Sequence, residues 1–379
     1  MGIAAIDLFA GAGGLSIGAV HAGVEVRMLV DFDPMMCRTL ELNPEWHPGV
    51  VLEHDIATLA GYDLREAAKV GPSDLLLVVG GAPCQPFSKN AYWTDPGDDS
   101  RYRKARARGE SAPRPVGPVP ARPDERRTLV EEYWRIVEES RADAFVFENV
   151  PSLLHPRNRH TFDDLNDAAQ REGFNTTLFR ANAVEFGVPQ RRERIFLMGV
   201  RGAKPVAPHR THARTREEVA ELSPPTTAGS AIAHLAGDRF FEPEEVVTGR
   251  WAQHLREIQP GWNYKWHSAW AGHPNPTFEA ERRFWNFLLK LDPEQPSWTI
   301  PANPGPWVGP FHWESRRLRT PELAALQCFP RGYRFFGSRR DRVRQIGNAV
   351  PATLAKAVIG QVLVAMGESS AARREESAA

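Results

Sequence analysis

A cysteine at position 84 lies in a segment whose residue types suit nucleophilic chemistry. The apolar run 75–79 predicts a buried strand of a parallel sheet, and the residues GGAPCQPFS follow it directly, from Gly80 to Ser88. Open α/β sheets bind their ligands at the carboxyl ends of such strands. A lone cysteine commonly packs as a small apolar side chain, but the flanking glycine, proline and polar residues favour an exposed turn. The pattern therefore predicts that Cys84 is a nucleophile.

Charged residues next to two other predicted strands would complement this thiol. Glu148 ends the apolar run 144–147, so its carboxylate is expected at the same edge of the sheet as Cys84. Arg192 and Arg194, in the segment QRRER, precede a further strand and are expected on the same side of the chain. The alternative interpretation is an ion pair between Glu148 and these arginines that only stabilises the fold.

The first predicted strand, which precedes a glycine-rich turn, indicates a cofactor site. The turn DLFAGAGG runs from Asp7 to Gly14, and its glycines allow a ligand to approach the backbone and the following helix N-terminus closely. Asp31 ends the second predicted strand, where a carboxylate can bind ribose hydroxyls. Asp55 and Ile56 end the third, where they could bind and cover an adenine ring. Together they favour an adenosine-containing cofactor without a pyrophosphate; a nicotinamide dinucleotide is less well matched, because the G-x-G-G spacing departs from its fingerprint.

The alternation of strand-like and helix-like segments over the first 200 residues predicts the elements that position these groups. It is typical of an α/β fold with a doubly wound, mostly parallel sheet. After Val200 the periodicity is lost, prolines are frequent, and seven of the 11 tryptophans lie between Trp251 and Trp307. This change predicts a second, smaller, loop-rich domain, and the polar composition from Gly367 onward predicts a disordered tail.

The composition is that of an ordinary soluble globular protein, with 42% hydrophobic and 25% charged residues among 379. We expect no membrane span and no secretory signal. Three widely separated cysteines indicate a reducing cytoplasm, with no disulfide framework and no metal site. The net charge of zero does not by itself indicate a polyanionic partner, but nine Arg or Lys residues against three acids make the segment from Arg101 to Arg127 strongly basic.

Five motifs resemble, in order and spacing, those of the DNA cytosine-5 methyltransferases: DLFAGAGG, GGAPCQPFS, ENV, QRRERIF and QIGNAVP. The resemblance extends from residue 3 to about 365. It implies a Rossmann-like methyltransferase sheet, S-adenosylmethionine as methyl donor, and as acceptor a cytosine flipped out of double-stranded DNA. The implied domains are a catalytic domain (1–203, completed by 340–366 folding back), a small target-recognition domain (204–339) and the tail (367–379).

The resemblance also implies roles for individual residues. Cys84 matches the nucleophile that adds to carbon 6, with its thiolate favoured by nearby arginines. Glu148 matches the acid that binds ring nitrogen 3 and the exocyclic amine, and Arg194, supported by Arg192, matches the residue that holds the base carbonyl. The expected cofactor pocket comprises Phe9, Ala10, Gly11, Gly13, Gly14, Asp31, Phe32, Asp55, Ile56, Pro83, Leu129, Asn348 and Val350. The expected DNA contacts are Ser88, Arg101, Arg103 and Lys104.

This sequence departs from the family pattern at two places. The loop that would close over the flipped base has 35 residues, 89–123, and is longer than is usual in the family. Asp124-Glu125-Arg126 is favoured over 99–101 as the acid-x-arginine element at its far end. Either the loop closes over the duplex, or it is a disordered spacer. Farther along, Cys328 occupies a position where glycine is common, and Arg319-Thr320 departs from the usual Leu-Thr-Pro.

The sequence thus predicts a bacterial DNA (cytosine-5-)-methyltransferase that acts in the cytoplasm as a monomer. Its expected role is the modification enzyme of a restriction-modification system, paired with a restriction endonuclease for the same site. Two alternatives remain open: an RNA (tRNA) cytosine-5 methyltransferase, and a catalytically idle relative that only binds DNA. In the small domain, the tryptophans and His267, His273 and His312 are expected to be packing residues.

Overall fold

The computed structural model describes residues 2–87, 101–102, 105–106, 109–113, 124–215, 217–218, 221–280 and 283–378. Its main feature is a seven-stranded sheet with the strand order β3-β2-β1-β4-β5-β8-β6. The strands are β1 (Ile3–Leu8), β2 (Glu25–Asp31), β3 (Val50–Glu53), β4 (Leu75–Gly80), β5 (Ala144–Asn149), β6 (Phe174–Asn182) and β8 (Glu193–Arg201), while β7 (Gln190–Arg191) pairs separately with β9 (Ser297–Trp298). Strands β1 to β5 run parallel, and β8 is antiparallel to both β5 and β6. The predicted mostly parallel α/β sheet is confirmed.

Helices cover both faces of this sheet. In chain order, the helices with described bounds are α1 (Gly14–His21), α2 (Pro34–Glu41), α3 (Gly61–Ala67), α4 (Leu129–Glu139), α5 (Arg159–Arg171), α6 (Ala228–Ile232), α7 (Ala252–Glu257), α8 (Thr320–Leu326), α9 (Arg339–Asn348) and α10 (Ala352–Ala378). Side chains alternate between the faces along each strand. In β1, Ile6 and Leu8 pack in the hydrophobic cluster that contains α3, α4 and α5, whereas Ala5 packs in the one that contains α1 and α10.

The last helix, α10, packs directly on the first helix, α1. At Gly18 of α1, an added Cβ would lie 2.4 Å from the Cβ of Ala355 and 2.9 Å from the carbonyl oxygen of Ala352. Leu354, Val358 and Ile359 of α10 are completely buried in the same cluster. The C-terminal segment therefore completes one face of the sheet.

The helical stretch Arg339–Ala371 is long and apolar enough, by length and composition, to cross a membrane. The sequence thus does contain an apolar stretch of that length, while the expectation of no membrane span stays a prediction. Of its apolar window, 56% is buried inside the protein, because α10 packs on α1 and the sheet. The apolar composition of α10 is therefore explained by its place in the core.

The predicted disordered tail does not begin at Gly367. Helix α10 continues to Ala378, and Ser369 is only 5% exposed. The Ser369 hydroxyl donates a hydrogen bond of 2.6 Å to the carbonyl oxygen of Arg201, at the end of β8. The prediction rested on polar composition, which misses this contact with the sheet.

Between Lys204 and Phe311 regular structure is sparse, as predicted. Among the described residues this part has its own core, which includes Leu255, Tyr264 and Phe311. His267 and His312 are buried as expected. The tryptophans are not, however, uniformly packing residues, because Trp262, Trp270 and Trp285 are exposed. The domain boundaries assigned from the sequence stay predictions.

Both departures in the segment around α8 have a structural explanation. Arg319 is buried and forms a two-pronged ion pair with Glu245, in which Nη2 lies 3.0 Å from Oε1. This pair joins α8 to the loop-rich part. Cys328 has φ of 61°, in the left-handed region that favours glycine. The departure at Cys328 therefore places a strained non-glycine residue at this turn.

Candidate active site

The carboxyl ends of β1, β2, β4 and β5 surround a cavity of about 340 Å³. This is where an open parallel sheet is expected to bind ligands. Of the residues predicted for the site, thirteen line the cavity: Phe9, Ala10, Gly11, Gly14, Asp31, Phe32, Pro83, Cys84, Leu129, Glu148, Arg194, Asn348 and Val350. The sequence motifs thus converge on one place, although Phe9 and Val350 are 341 positions apart along the chain (350 − 9).

At one end of the cavity, three predicted catalytic residues lie together. Cys84 lies between the end of β4 and the short turn Gln85–Phe87 and is half-buried. Glu148, in β5, is 8% exposed, and its Oε1 lies 2.7 Å from Nε of Arg194 in β8. Gly81 leaves the space for this carboxylate, because an added Cβ would lie 2.7 Å from Oε2 of Glu148. The glycine after β4 therefore permits the close approach of Glu148.

Burial dominates the electrostatics of these groups. It raises the pKa of Glu148, while Arg194 and Arg192 lower it in part. A raised pKa keeps this carboxyl protonated to higher pH, so it can act as a hydrogen-bond donor. Burial also raises the pKa of the Cys84 thiol above its ordinary value, although Arg194 acts against this effect. The expectation that the arginines favour the thiolate was therefore only partly correct, because desolvation outweighs them.

Arg192 does not line the cavity. Its side chain is 1% exposed and donates a hydrogen bond of 2.7 Å to the carbonyl oxygen of Gly347 in α9. The chain leaves the β7–β9 sheet and enters the main sheet at this residue, so Arg192 and Arg194 do not continue one regular strand. The predicted shared role with Arg194 in holding the base is not supported by this position.

The other end of the cavity has the features of an adenosine site. Asp31 accepts hydrogen bonds from the backbone N–H groups of Gly11 (2.8 Å) and Asp33 (2.9 Å), which fix its carboxylate. Burial raises its pKa, while these hydrogen bonds lower it in part. An adjoining cavity of about 190 Å³ is lined by Phe9, Leu129, Asp55 and Ile56, among others. A carboxylate beside a flat apolar pocket suits a ribose and an adenine ring.

The segment after α9 closes the cavity from the opposite side. An added Cβ at Gly14 would lie 2.1 Å from the carbonyl oxygen of Val350, so only glycine permits this contact. Gly13 does not line the cavity: it has φ of 82°, and an added Cβ would meet the ring of His47 at 2.3 Å. This geometry suits the turn before α1, and a cofactor contact by Gly13 stays a prediction.

Two arginines at the cavity were not among the predicted site residues. Arg126 lines both cavities, and its pair with Asp124, at 2.7 Å, matches the favoured acid-x-arginine element. Arg344 of α9 lines the larger cavity and lies 2.9 Å from Oδ2 of Asp33. The basic run that contains Arg344 was visible in the sequence, but nothing there indicated which arginine turns inward.

Of the four predicted DNA-contact residues, the structure describes only Arg101. Ser88, Arg103 and Lys104 lie outside the described residues, as does most of the loop 89–123. Arg101 is exposed and does not line the cavity. Across the described part of the chain, no group of three or more His, Cys, Asp or Glu side chains is arranged to hold a metal ion.

A model of the C-5 cytosine-specific DNA methylase family matches residues 3–102 and 120–363, and the chain belongs to this family. The unmatched internal segment, 103–119, falls within the long loop noted above. The chain is 35% identical to the Type II methyltransferase M.SacI of Streptomyces achromogenes, over 96% of this chain and 93% of that protein. It is 29% identical to the Type II methyltransferase M.XorII of Xanthomonas oryzae pv. oryzae, over 95% and 84%.

Solved structures show the same fold. A prophage-encoded protein of E. coli superposes with a TM-score of 0.67 at 20% identity, covering 96% of this chain and 99% of that one. The methyltransferase EhMeth of Entamoeba histolytica superposes with a TM-score of 0.58 at 11% identity, covering 96% and 98%. The protein is thus an enzyme of the DNA cytosine-5 methyltransferase class, built on the Rossmann-like fold that the sequence analysis expected.

Proposed function

We propose that the protein transfers a methyl group from S-adenosylmethionine to carbon 5 of a cytosine flipped out of double-stranded DNA, through a covalent bond to Cys84. One observation carries the proposal. Cys84, Glu148 and Arg194 line the same cavity as Asp31 and Val350, so the nucleophile and the cofactor-binding groups open into one space. Base flipping is needed because carbon 5 and carbon 6 are inaccessible inside a stacked duplex.

The residues present fit S-adenosylmethionine. Asp31 is held by two backbone N–H groups and is placed to accept ribose hydroxyls. Phe9, Ile56 and Leu129 supply apolar walls for adenine, and the turn at Gly11 admits a ligand close to the backbone. When bound, S-adenosylmethionine supplies an electrophilic methyl group. Asn348 and Val350 would bind its methionine end.

Cys84 starts the reaction by adding to the cytosine ring. The thiolate sulfur forms a bond to carbon 6, and the displaced electron pair makes carbon 5 nucleophilic. Carbon 5 takes the methyl group, which would leave S-adenosylhomocysteine as the product. Water then accepts the proton of carbon 5, the freed electron pair forms the double bond between carbons 5 and 6, and the bond between sulfur and carbon 6 breaks to release the Cys84 thiolate and restore the aromatic ring. The thiol must lose its proton for the first step, and its raised pKa opposes that loss in the free enzyme.

Glu148 and Arg194 stabilise the charge that this addition creates. The carboxyl of Glu148, whose pKa is raised by burial, donates a hydrogen bond to ring nitrogen 3 as electron density grows there. The same side chain accepts from the exocyclic amine, which distinguishes cytosine from thymine. Arg194 fixes Glu148 through the 2.7 Å contact and lies beside it to bind the base carbonyl. Arg192 positions α9 from behind the site.

The biological role that fits best is protection of a specific DNA sequence in a bacterial cell. Support comes from the similarity to M.SacI and M.XorII, which are Type II methyltransferases. On this proposal the enzyme acts in the cytoplasm, as a monomer, on the site cleaved by a cognate restriction endonuclease. The long loop 89–123 and the residues Ser88, Arg101, Arg103 and Lys104 would contact the DNA backbone.

Replacement of the nucleophile tests the mechanism. Cys84→Ala should lower incorporation of a tritiated methyl group into duplex DNA to background, because no adduct forms, while S-adenosylmethionine binding measured by calorimetry is retained. Cys328→Ala is the matched control, since Cys328 does not line the cavity, and it should retain activity. Methylation by Cys84→Ala at the wild-type rate would overturn the mechanism. Total tRNA assayed alongside duplex DNA should remain unmethylated.

A further inference from the structure

Three exposed tryptophans lie together on the loop-rich part of the molecule. Trp270 is 68% exposed, Trp285 51% and Trp262 38%. An indole offers a large apolar surface and is usually buried against other side chains. Here Trp270 lies 6.4 Å from Trp262, between ring centroids, so the exposed rings form one patch rather than isolated contacts. Such a patch on a folded chain indicates a surface that is covered by a partner.

Basic side chains connect this patch to the mouth of the active site. The Arg191 guanidinium lies 5.1 Å over the ring of Trp298, which lies 5.7 Å from the ring of Trp285. The Lys265 ammonium lies 5.9 Å from Trp285 and 5.3 Å from Trp270. We call this continuous series the aromatic–basic strip: Arg191, Trp298, Trp285, Lys265, Trp270 and Trp262.

The strip begins in a groove that adjoins the catalytic residues. Arg191, Trp298 and Arg194 all line this groove, which has a volume of about 770 Å³. Arg194 also lines the cavity and contacts Glu148, so the groove and the cavity meet at this side chain. Glu193 also lines the groove, but it pairs with Arg180 at 2.6 Å. Glu193 therefore does not neutralise the positive charge of Arg191.

The strip is held in place by the backbone beneath it. Asn263 accepts a hydrogen bond of 3.0 Å from the N–H of Lys265 and donates one of 2.7 Å to the carbonyl oxygen of Trp285. Asn263 is 2% exposed, and the neighbouring Tyr264 is completely buried. Two segments of the strip are thus fixed relative to each other, which lowers the entropic cost of binding a ligand.

We infer that the aromatic–basic strip binds the DNA duplex beside the flipped cytosine and contributes to the choice of target sequence. The inference rests on the function proposed above. Arg191 and Lys265 contact phosphates, and the indoles of Trp270 and Trp285 lie against base edges and sugars. Positive charge combined with exposed aromatic faces suits nucleic acid, and the continuity with the Glu148 cavity gives the duplex a path to the site.

The test begins by finding the target. The wild-type enzyme is incubated with a randomised duplex DNA library and S-adenosylmethionine, and bisulfite sequencing identifies the methylated motif. Duplexes that carry this motif are then used to measure Kd at several salt concentrations for Trp270→Ala, Trp285→Ala and Lys265→Ala. Phe241→Ala is the matched control, because Phe241 is 54% exposed in the same part of the chain but lies outside the strip.

Each substitution has its own expected signature. Either tryptophan variant should weaken DNA binding by about tenfold, since loss of an aromatic contact residue at an interface lowers affinity by roughly that factor. The salt dependence should stay unchanged, because no charge is lost. Lys265→Ala should lower the slope of log K against log salt by about 0.9, the value for one phosphate contact. S-adenosylmethionine affinity and melting temperature should match those of the wild type and of Phe241→Ala.

The outcomes separate this inference from the proposed function. If the wild type methylates a motif, and the strip variants bind and methylate it as Phe241→Ala does, the strip inference alone is overturned. The strip inference is also overturned if the variants change only self-association or protein binding, measured by sedimentation. If the wild type methylates no duplex in the library, both proposals are lost. Weaker DNA binding or a relaxed motif, with unchanged folding and cofactor binding, supports the inference.

Discussion

The reactivity of Cys84 depends on two opposing effects at a single sulfur atom. Burial raises the pKa of the thiol, and Arg194 and Arg192 lower it less than burial raises it. Glu148 adds to the increase through its negative charge when it is ionised. The free enzyme therefore holds its nucleophile mainly as a thiol at neutral pH. Such a site resists unproductive alkylation and oxidation, which both proceed through the thiolate.

The first prediction follows for the pH dependence of this thiol. Iodoacetamide should alkylate Cys84 in the free protein with a midpoint above that of N-acetylcysteine, because burial disfavours the charged form. The midpoint is measured by mass spectrometry of the peptide that contains Cys84, from pH 6 upward. Cys84→Ala identifies the signals of Cys37 and Cys328. A midpoint below that of the free amino acid derivative would show that the arginines dominate instead.

The segment from Gln190 to Arg194 illustrates which parts of the site could be predicted from the sequence and which could not. The motifs placed Cys84, Glu148 and Arg194 correctly, since each follows or enters a strand at the same edge of the sheet. Arg192 was misplaced, because alternate residues share a side only while a strand continues, and the chain changes sheets there. The inward turn of Arg344 depends on a partner, Asp33, that is distant in sequence.

Among the contacts between elements, the one between α1 and α10 leaves no room for a larger side chain at Gly18. Gly18 provides the space for α10, and any larger residue there meets Ala355 and the backbone at Ala352. Gly360, on α10 itself, has no atoms within 4 Å of the position of an added Cβ. Gly18 is therefore required for packing, whereas Gly360 only lowers the helix propensity of α10.

Substitution of these two glycines gives a matched pair. Gly18→Ala should lower the free energy of unfolding by about 1–3 kcal/mol through overpacking. Gly360→Ala should raise it by about 0.5–1 kcal/mol, because alanine has the higher helix propensity. Urea denaturation followed by circular dichroism measures both. Equal effects of the two substitutions would contradict the packing assigned to α1 and α10.

The main sheet was predictable in its parallel half and less so at its β6 edge. Strands β1, β4 and β5 are short apolar runs buried on both faces, which the sequence shows directly. Strand β6 has exposed positions along its length and no apolar run, so its pattern did not indicate a strand. The reversed direction of β8 depends on which neighbours it pairs with, and no local signal encodes that.

At the scale of the whole molecule, the most buried acid couples stability to pH. Asp7 in β1 is completely buried, and burial raises its pKa from 3.8 to about 8, although contacts with Ser16 lower it in part. Below pH 4 the carboxyl is protonated in both folded and unfolded states. Between pH 4 and 8 the unfolded chain ionises first, so the folded state loses stability as the pH rises through this window.

Asp7→Asn should remove this dependence. The variant should gain stability relative to the wild type as the pH rises from 4 to 8, by more than about 1.4 kcal/mol, the equivalent of one pKa unit. Thermal or urea unfolding at several pH values provides the measurement. Asp163→Asn is the control, since Asp163 forms an exposed ion pair with Arg159 and should show no such trend. Parallel pH curves for wild type and Asp7→Asn would exclude the coupling.

The position of Val350 and α10 also sets when the enzyme becomes functional during its synthesis. Phe9 and Gly14 are synthesised before residues 348–366, which close the cavity and pack on α1. Because contacts between such distant segments form only after both are available, the cofactor cavity stays incomplete on the nascent chain. Products that end before residue 348 would therefore be unable to modify DNA, and activity would appear only when α10 docks on α1.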